Sequence, residues 1–148
     1  MNHILLKKTF DDFSFLEGEI ITFNRFTIEG KLHKGYFDEA PSRTFSYWRE
    51  LRDYCLFLIK GQHTPLSFRL VFALSPQMTE DFLSTYAPSF SQESISGLYL
   101  NFRFDGTTLC CVTGTTLSTF SMDKSIEQGF DVYATSFFRQ NQIASEEL

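Results

Sequence analysis

This chain lacks the cysteines of a disulfide framework. Its three cysteines, Cys55, Cys110 and Cys111, are odd in number and two are adjacent, which fits reduced thiols in the cytoplasm better than paired ones. Also missing is any apolar stretch of about 20 residues, so no membrane-spanning helix is expected. The N-terminal segment 1–8 carries only three consecutive aliphatics ahead of two lysines, too little for a signal peptide. Charge of one sign is scarce as well. No run of five like charges occurs, and 13 Lys and Arg stand against 18 Asp and Glu for a net charge of −5. A nucleic-acid surface needs clustered cations to neutralise phosphates, so nucleic acid is disfavoured as a partner.

Catalytic signatures are equally sparse. His3, His33 and His63 have no ligand-type partner at i+3 or i+4, and no Cys-x-x-Cys occurs, so neither a metal nor a cofactor is expected. Gly114-Thr115-Thr116 and Ile59-Lys60-Gly61 lack the glycine run that aims successive N–H groups at a phosphate. No Gly-x-Ser-x-Gly elbow is present. The adjacent acids Asp11-Asp12 and Glu80-Asp81 read as solvated faces. In a strand Cys110 and Cys111 point to opposite faces; Cys111 is expected in the core and Cys110 half in water, with no base evident beside either. The balance leans away from an enzyme.

What the chain has is phenylalanine, 18 in 148 residues. Each ring brings a large apolar area and no polar atom, so a bulky ring-on-ring core is expected, with rings left over for an interface. The length suits one domain. The expectation is a single α+β domain over 1–148, antiparallel meander sheets packed with about three to four helices, and a frayed tail over 142–148.

The strongest local pattern is 98–104, where apolar and polar residues alternate as in a half-buried strand. Asp105-Gly106 supplies a hairpin turn that would pair Phe104 with Thr107 and return along 107–113. Gly114-Thr115 is read as a second reversal, into a strand over 116–122. Asp123 would cap a helix over 124–141 with Ile126, Phe130, Tyr133 and Phe137 in one stripe, despite Gly129. Ser75-Pro76 starts another helix, with Met78, Phe82 and Tyr86 inward and Pro88 as its stop. Segment 66–74 reads as a strand with Phe68, Leu70 and Phe72 on one side. Segment 54–59 is continuously apolar and reads as a strand buried on both faces, after a short helix over 44–53 and before a loop over 60–65. The first third reads as strands over 19–23, 26–28 and 32–37, with a bulge or corner at Asn24-Arg25 and a turn at Gly30. A faint echo links the run from Phe13 to Phe26 with that from Phe102 to Phe120. Two pseudo-repeated helix-plus-meander halves would give a fold like a DNA clamp.

One surface group draws interest: Trp48, Arg49, Arg52, Lys60 and His63. The arginines sit three apart on the short helix, and Lys60 and His63 lie in a loop, where binding residues concentrate. They could form a small-anion site. The plainer reading, which is favoured, pairs the arginines with Glu50 and Asp53. Phe45, Phe90 and Phe138 have no inward position in this scheme and are the candidate interface.

Trp48-Arg49-Glu50-Leu51-Arg52, Cys55, Leu58-Ile59-Lys60-Gly61, Thr64-Pro65 and Leu74-Ser75 resemble a family of short uncharacterised proteins from Gram-positive anaerobes. So do Gly97-Leu98-Tyr99-Leu100-Asn101, Thr113-Gly114-Thr115, Asp123-Lys124-Ser125, Thr9-Phe10-Asp11 and Ile21-Thr22-Phe23. The resemblance covers most of the chain and implies no activity. It implies that members begin upstream of Met1, with a strand that this chain would lack. The function expected is a non-enzymatic cytoplasmic interaction module, acting as a homo-oligomer or on a protein partner. The alternatives are a clamp-like nucleic-acid accessory protein and a phosphometabolite-binding protein using Arg52, Lys60 and His63.

Overall fold

In Ser67–Ala73 (β4), Phe68, Leu70 and Phe72 are buried while Ser67, Arg69 and Val71 alternate with them in partial contact with water. The period-two pattern puts one face of a strand on a core. The other strands are Ser14–Ile21 (β1), Arg25–Glu29 (β2), Ser46–Tyr47 (β3), Ile95–Phe104 (β5) and Leu109–Leu117 (β6). Together they form an antiparallel six-stranded sheet of order β2-β1-β4-β5-β6, with β4 central and β3 paired to β1 off that path. The helices are Asn2–Leu5 (α1), Trp48–Ile59 (α2), Pro76–Tyr86 (α3) and Ser125–Gln140 (α4). This computed structural model describes residues 1–59, 64–118 and 124–147. The fold is α+β.

The chain divides into two compact units, residues 1–73 with 100–112, and residues 74–99 with 113–148. In the first, β1 pairs antiparallel with β2 (Glu19 opposite Thr27) and with β4 (Gly18 opposite Leu70), with a register shift between Phe15 and Glu17. Its core is a cluster of rings around Phe72. Phe10 stacks on Phe72 at 5.6 Å, and Phe13, Phe15, Trp48 and Phe102 meet it edge-on at 6.4, 5.9, 4.9 and 5.6 Å. Such offset and edge-on contacts are the arrangements that the ring quadrupole favours. Phe68 stacks on Phe104 at 5.3 Å.

The second unit has its own ring cluster. Phe82 of α3 meets Phe130 and Tyr133 of α4 edge-on at 5.8 and 5.7 Å. Gly129 belongs to this contact: a Cβ there would sit 3.2 Å from the Tyr86 Cβ. The glycine's local cost of about 1 kcal/mol in a helix is therefore offset by close helix packing. Ser75 caps α3 as expected, its hydroxyl accepting from the Met78 N–H at 3.4 Å, with Pro76 in the first turn.

Five readings of the sequence are corrected, the hairpin turn among them. Segment 54–59 is not a strand but the second half of α2; Trp48, Cys55 and Ile59 form its buried stripe while Tyr54 and Phe57 face water. The helix expected over 44–53 begins only at Trp48, after β3. Gly114-Thr115 does not reverse the chain. β6 runs through it to Leu117, because Gly114 keeps an extended backbone without positive φ and its threonine neighbours favour a strand. The expected strand over 116–122 lies in part outside the described residues, as does Asp123; Lys124 holds the position before α4. Segment 32–37 is not a strand either: Lys34–Tyr36 is a single 3₁₀ turn.

The hairpin turn sits one residue later than read. Asp105 N–H donates to the Thr108 carbonyl at 3.3 Å, so Gly106 and Thr107 are central and Gly106 takes φ +100. The Asp105 carboxylate accepts from both the Thr107 and Thr108 N–H groups at 2.9 and 2.8 Å, and these bonds hold its pKa below the ordinary value. The Asn24-Arg25 corner is the β1–β2 turn, where the Thr22 N–H donates to the Asn24 carbonyl. The pseudo-repeat finds no support in the element order, since a four-residue α1 stands where the second half has the eleven-residue α3.

Candidate functional site

The start of α2 gathers most of the polar side chains singled out from the sequence. Its first-turn N–H groups are met by the preceding chain: Trp48 N–H donates to the Phe13 carbonyl at 2.9 Å and Arg49 N–H to the Asp11 carbonyl at 3.3 Å. Glu50, third in the helix, reaches back to accept the Tyr47 N–H at 2.8 Å, half of a capping box. The same carboxylate accepts from both terminal guanidinium nitrogens of Arg43, Nη1 and Nη2, at 2.5 and 3.0 Å. Arg43 and Arg49 each lie over the Tyr47 ring, 4.4 and 4.2 Å from its centroid.

Each arginine here is committed. Arg49 pairs with Asp12 at 3.1 Å. Arg52 donates to the Lys7 carbonyl at 2.6 Å and to Asp11 at 2.9 Å, with Asp53 at 4.0 Å. The carboxylate partners are thus mainly Asp11 and Asp12, from the segment before β1. Trp48 is fully buried, its indole N–H donating to the Ile4 carbonyl at 2.7 Å. Lys60 and His63 lie outside the described residues. Chemically, the arrangement clasps the chain before β1 and the Arg43 segment onto the start of a helix.

The Arg43 fork holds the Glu50 pKa below its ordinary value, the shared hydrogen bond being the main cause. A carboxylate depressed in the folded state stabilises it above the unfolded pKa, and that contribution is lost as pH falls through the folded value. Melting temperatures taken from neutral pH down through the carboxylate range should therefore fall more steeply for wild type than for Glu50→Gln. Parallel curves would refute the assignment.

The thiols differ. Burial pushes Cys55 and Cys111 up to about 12, whereas Cys110 is exposed. Ellman's reagent should titrate one thiol quickly in the native protein, and Cys110→Ser should abolish that fast phase. Three thiols of equal rate would contradict this placement. Among the described residues, no three His, Cys, Asp or Glu side chains gather as a metal site would need. No described helix is long and apolar enough to cross a membrane.

Of the candidate interface rings, Phe45 is half-buried, bridged to Lys31, and its carbonyl accepts from Arg43 at 3.1 Å. Phe138 is half-buried, 6.4 Å from Phe137. Phe90 lines an open groove of about 370 Å³ with Glu80, Leu83, Ser84, Pro88 and Gln92. Among the described residues, the rings most open to water are others: Phe23, Tyr36, Tyr54 and Phe57. For Tyr54 and Phe57 a signal existed, because Trp48, Cys55 and Ile59 recur at helical spacing and leave 54 and 57 opposite.

The sequence model of one family matches residues 3–146. The chain belongs to DUF5721, a family of unknown function. No curated protein and no solved structure matches this DUF5721 chain.

Proposed function

We propose that this member of DUF5721 is a non-enzymatic interaction module of the cytoplasm, acting by self-association or by docking a protein partner. One observation carries the reading. In the first unit Phe23, Tyr36, Tyr54 and Phe57 leave 88%, 87%, 70% and 79% of their surface in water, although the same unit buries many rings completely. Tyr54 and Phe57 are neighbours at i, i+3 on the outer face of α2. Exposed apolar groups that adjoin one another mark interaction surfaces more often than chance, and aromatic residues are enriched in such interfaces. The arginines near α2 support the same reading, since each already has a carboxylate or carbonyl partner.

Light scattering after size exclusion tests the self-association half: the weight-average mass should rise above 17.2 kDa with concentration in the micromolar range. A photoreactive phenylalanine analogue at position 57 tests the docking half in cells and should give a discrete protein adduct. A mass fixed at the monomer value together with no adduct would overturn the proposal.

A further inference from the structure

β2 is an edge of the sheet, paired only with β1. An edge strand presents a row of unpaired N–H and C=O groups, and another strand is what satisfies them. Which residues point outward follows from two bonds. Gly30 N–H donates to the Leu16 carbonyl and Thr22 N–H to the Asn24 carbonyl, so 16 with 30 and 22 with 24 are bonded pairs. Alternation along an antiparallel ladder then makes Ile28 with Gly18 and Phe26 with Ile20 bonded pairs too. Arg25, Thr27 and Glu29 turn their backbone groups away from β1. Among the described residues, no group outside β1 bonds to them.

The side chains of β2 read Arg25-Phe26-Thr27-Ile28-Glu29, and this order is complementary to itself when reversed. We propose that β2 pairs antiparallel with β2 of a second copy, about a two-fold axis at Thr27, joining two sheets edge to edge. The inference rests on the self-association reading above. In that register Thr27 faces Thr27, and Arg25 of each copy faces Glu29 of the other. These are the residues whose N–H and C=O groups are free, so each pair exchanges both backbone bonds. Phe26 falls opposite Ile28, an aromatic–aliphatic pair of the kind that stabilises sheets. Both side chains are half-buried on the face that carries Ile20. The exposed Phe23 ring, 6.1 Å from Phe26, lies next to this new contact.

Charge selects a second copy over an unrelated strand. Within one chain Glu29 stands directly opposite Glu17, and like charges so placed are destabilising. Glu17 already pairs with Arg69 at 3.1 Å, and Glu29 forms no ion pair among the described residues. Arg25 has only a 3.8 Å contact with Glu19, and its own side chain is largely in water. Two-fold pairing supplies Glu29 with a cation and Arg25 with a second anion, twice over.

Sedimentation equilibrium at high micromolar concentration tests this. Wild type should dimerise. Arg25→Glu and Glu29→Arg should each weaken the dimer about tenfold or more, since like charges then meet across the contact. A one-to-one mixture of those two variants should dimerise, because each brings the charges the other lacks; the double exchange in one chain should dimerise as well. Thr27→Pro should give a monomer that melts close to wild type, since proline is tolerated where an edge N–H faces solvent. Single variants that dimerise like wild type would place self-association on another surface, overturning this proposal and leaving the module reading standing. A mixture that stays monomeric would overturn the register. A monomeric wild type would overturn both the pairing and self-association.

Discussion

Gly30→Ala should leave little or no folded protein. A Cβ at this position would lie 1.8 Å from the Phe15 carbonyl oxygen, 2.6 Å from its carbon and 2.9 Å from the Leu16 oxygen. All three are backbone atoms of β1, so no side chain can swing aside to make room. Relief requires the chain after β2 to draw away from β1. That breaks the Gly30 N–H bond to Leu16 at 2.7 Å and loosens the Ser46 N–H bond to Gly30 at 2.8 Å, which seats β3. The expected loss is on the order of 4 kcal/mol or more, in the exceptional class for single substitutions and a large part of a typical domain's stability. Gly35→Ala is the control, since a Cβ there meets nothing within 4 Å, and it should melt like wild type. Soluble yield and thermal unfolding by circular dichroism read both. A Gly30→Ala protein melting within a few degrees of wild type would show that the close approach is misplaced.

Phe72→Ala carries the second large effect. Phe72 is fully buried, and five aromatic neighbours contact its ring, from Trp48 at 4.9 Å to Phe13 at 6.4 Å. Deleting it removes the transfer free energy of the ring and leaves a cavity walled by groups fixed on β1, α2 and β5. Stiff walls collapse poorly, so about 3–5 kcal/mol should be lost. Phe57→Ala should differ sharply. That ring is 79% exposed, and its removal should change stability by no more than about 0.5 kcal/mol. Urea unfolding of the two variants separates them. Equal losses would mean that 54–59 is a buried strand after all.

That contrast marks where the sequence was legible. The alternation in β4 and β5 showed the inward residues directly, because a half-buried strand imprints a period of two. Phe68, Phe72 and Phe102 are buried as read, and so are Phe82 and Phe130 on helices with a periodic stripe. Ser75-Pro76 was readable because its chemistry is local. Segment 54–59 was harder: its six consecutive apolar residues carry no period by themselves, and the helical spacing from Trp48 through Cys55 to Ile59 shows only when the run is read together with the turn before it. The Glu50 bond to Tyr47 starts that helix locally, while the Phe13 and Asp11 carbonyls that take its first N–H groups lie far off in the chain. Gly106 and Gly114 make the same point about turns. Both precede threonines, yet only Gly106 takes a positive φ, beside an aspartate whose carboxylate ties the turn.

The α2 arginines were legible as a group but not in their partners. Arg52 finds Asp11, 41 positions away in the chain, and no spacing rule reaches that far. The self-complementary charge order of β2 lay in plain view but had no meaning until β2 was placed at a sheet edge.

Amide hydrogen exchange along β2 tests, residue by residue, the proposal that two copies meet at this edge. Phe26 and Ile28 N–H groups, bonded to β1, should be protected at every protein concentration. Arg25, Thr27 and Glu29 N–H groups should exchange freely in dilute solution and gain protection as the dimer forms. Free exchange of those three amides at concentrations where the mass has doubled would contradict it.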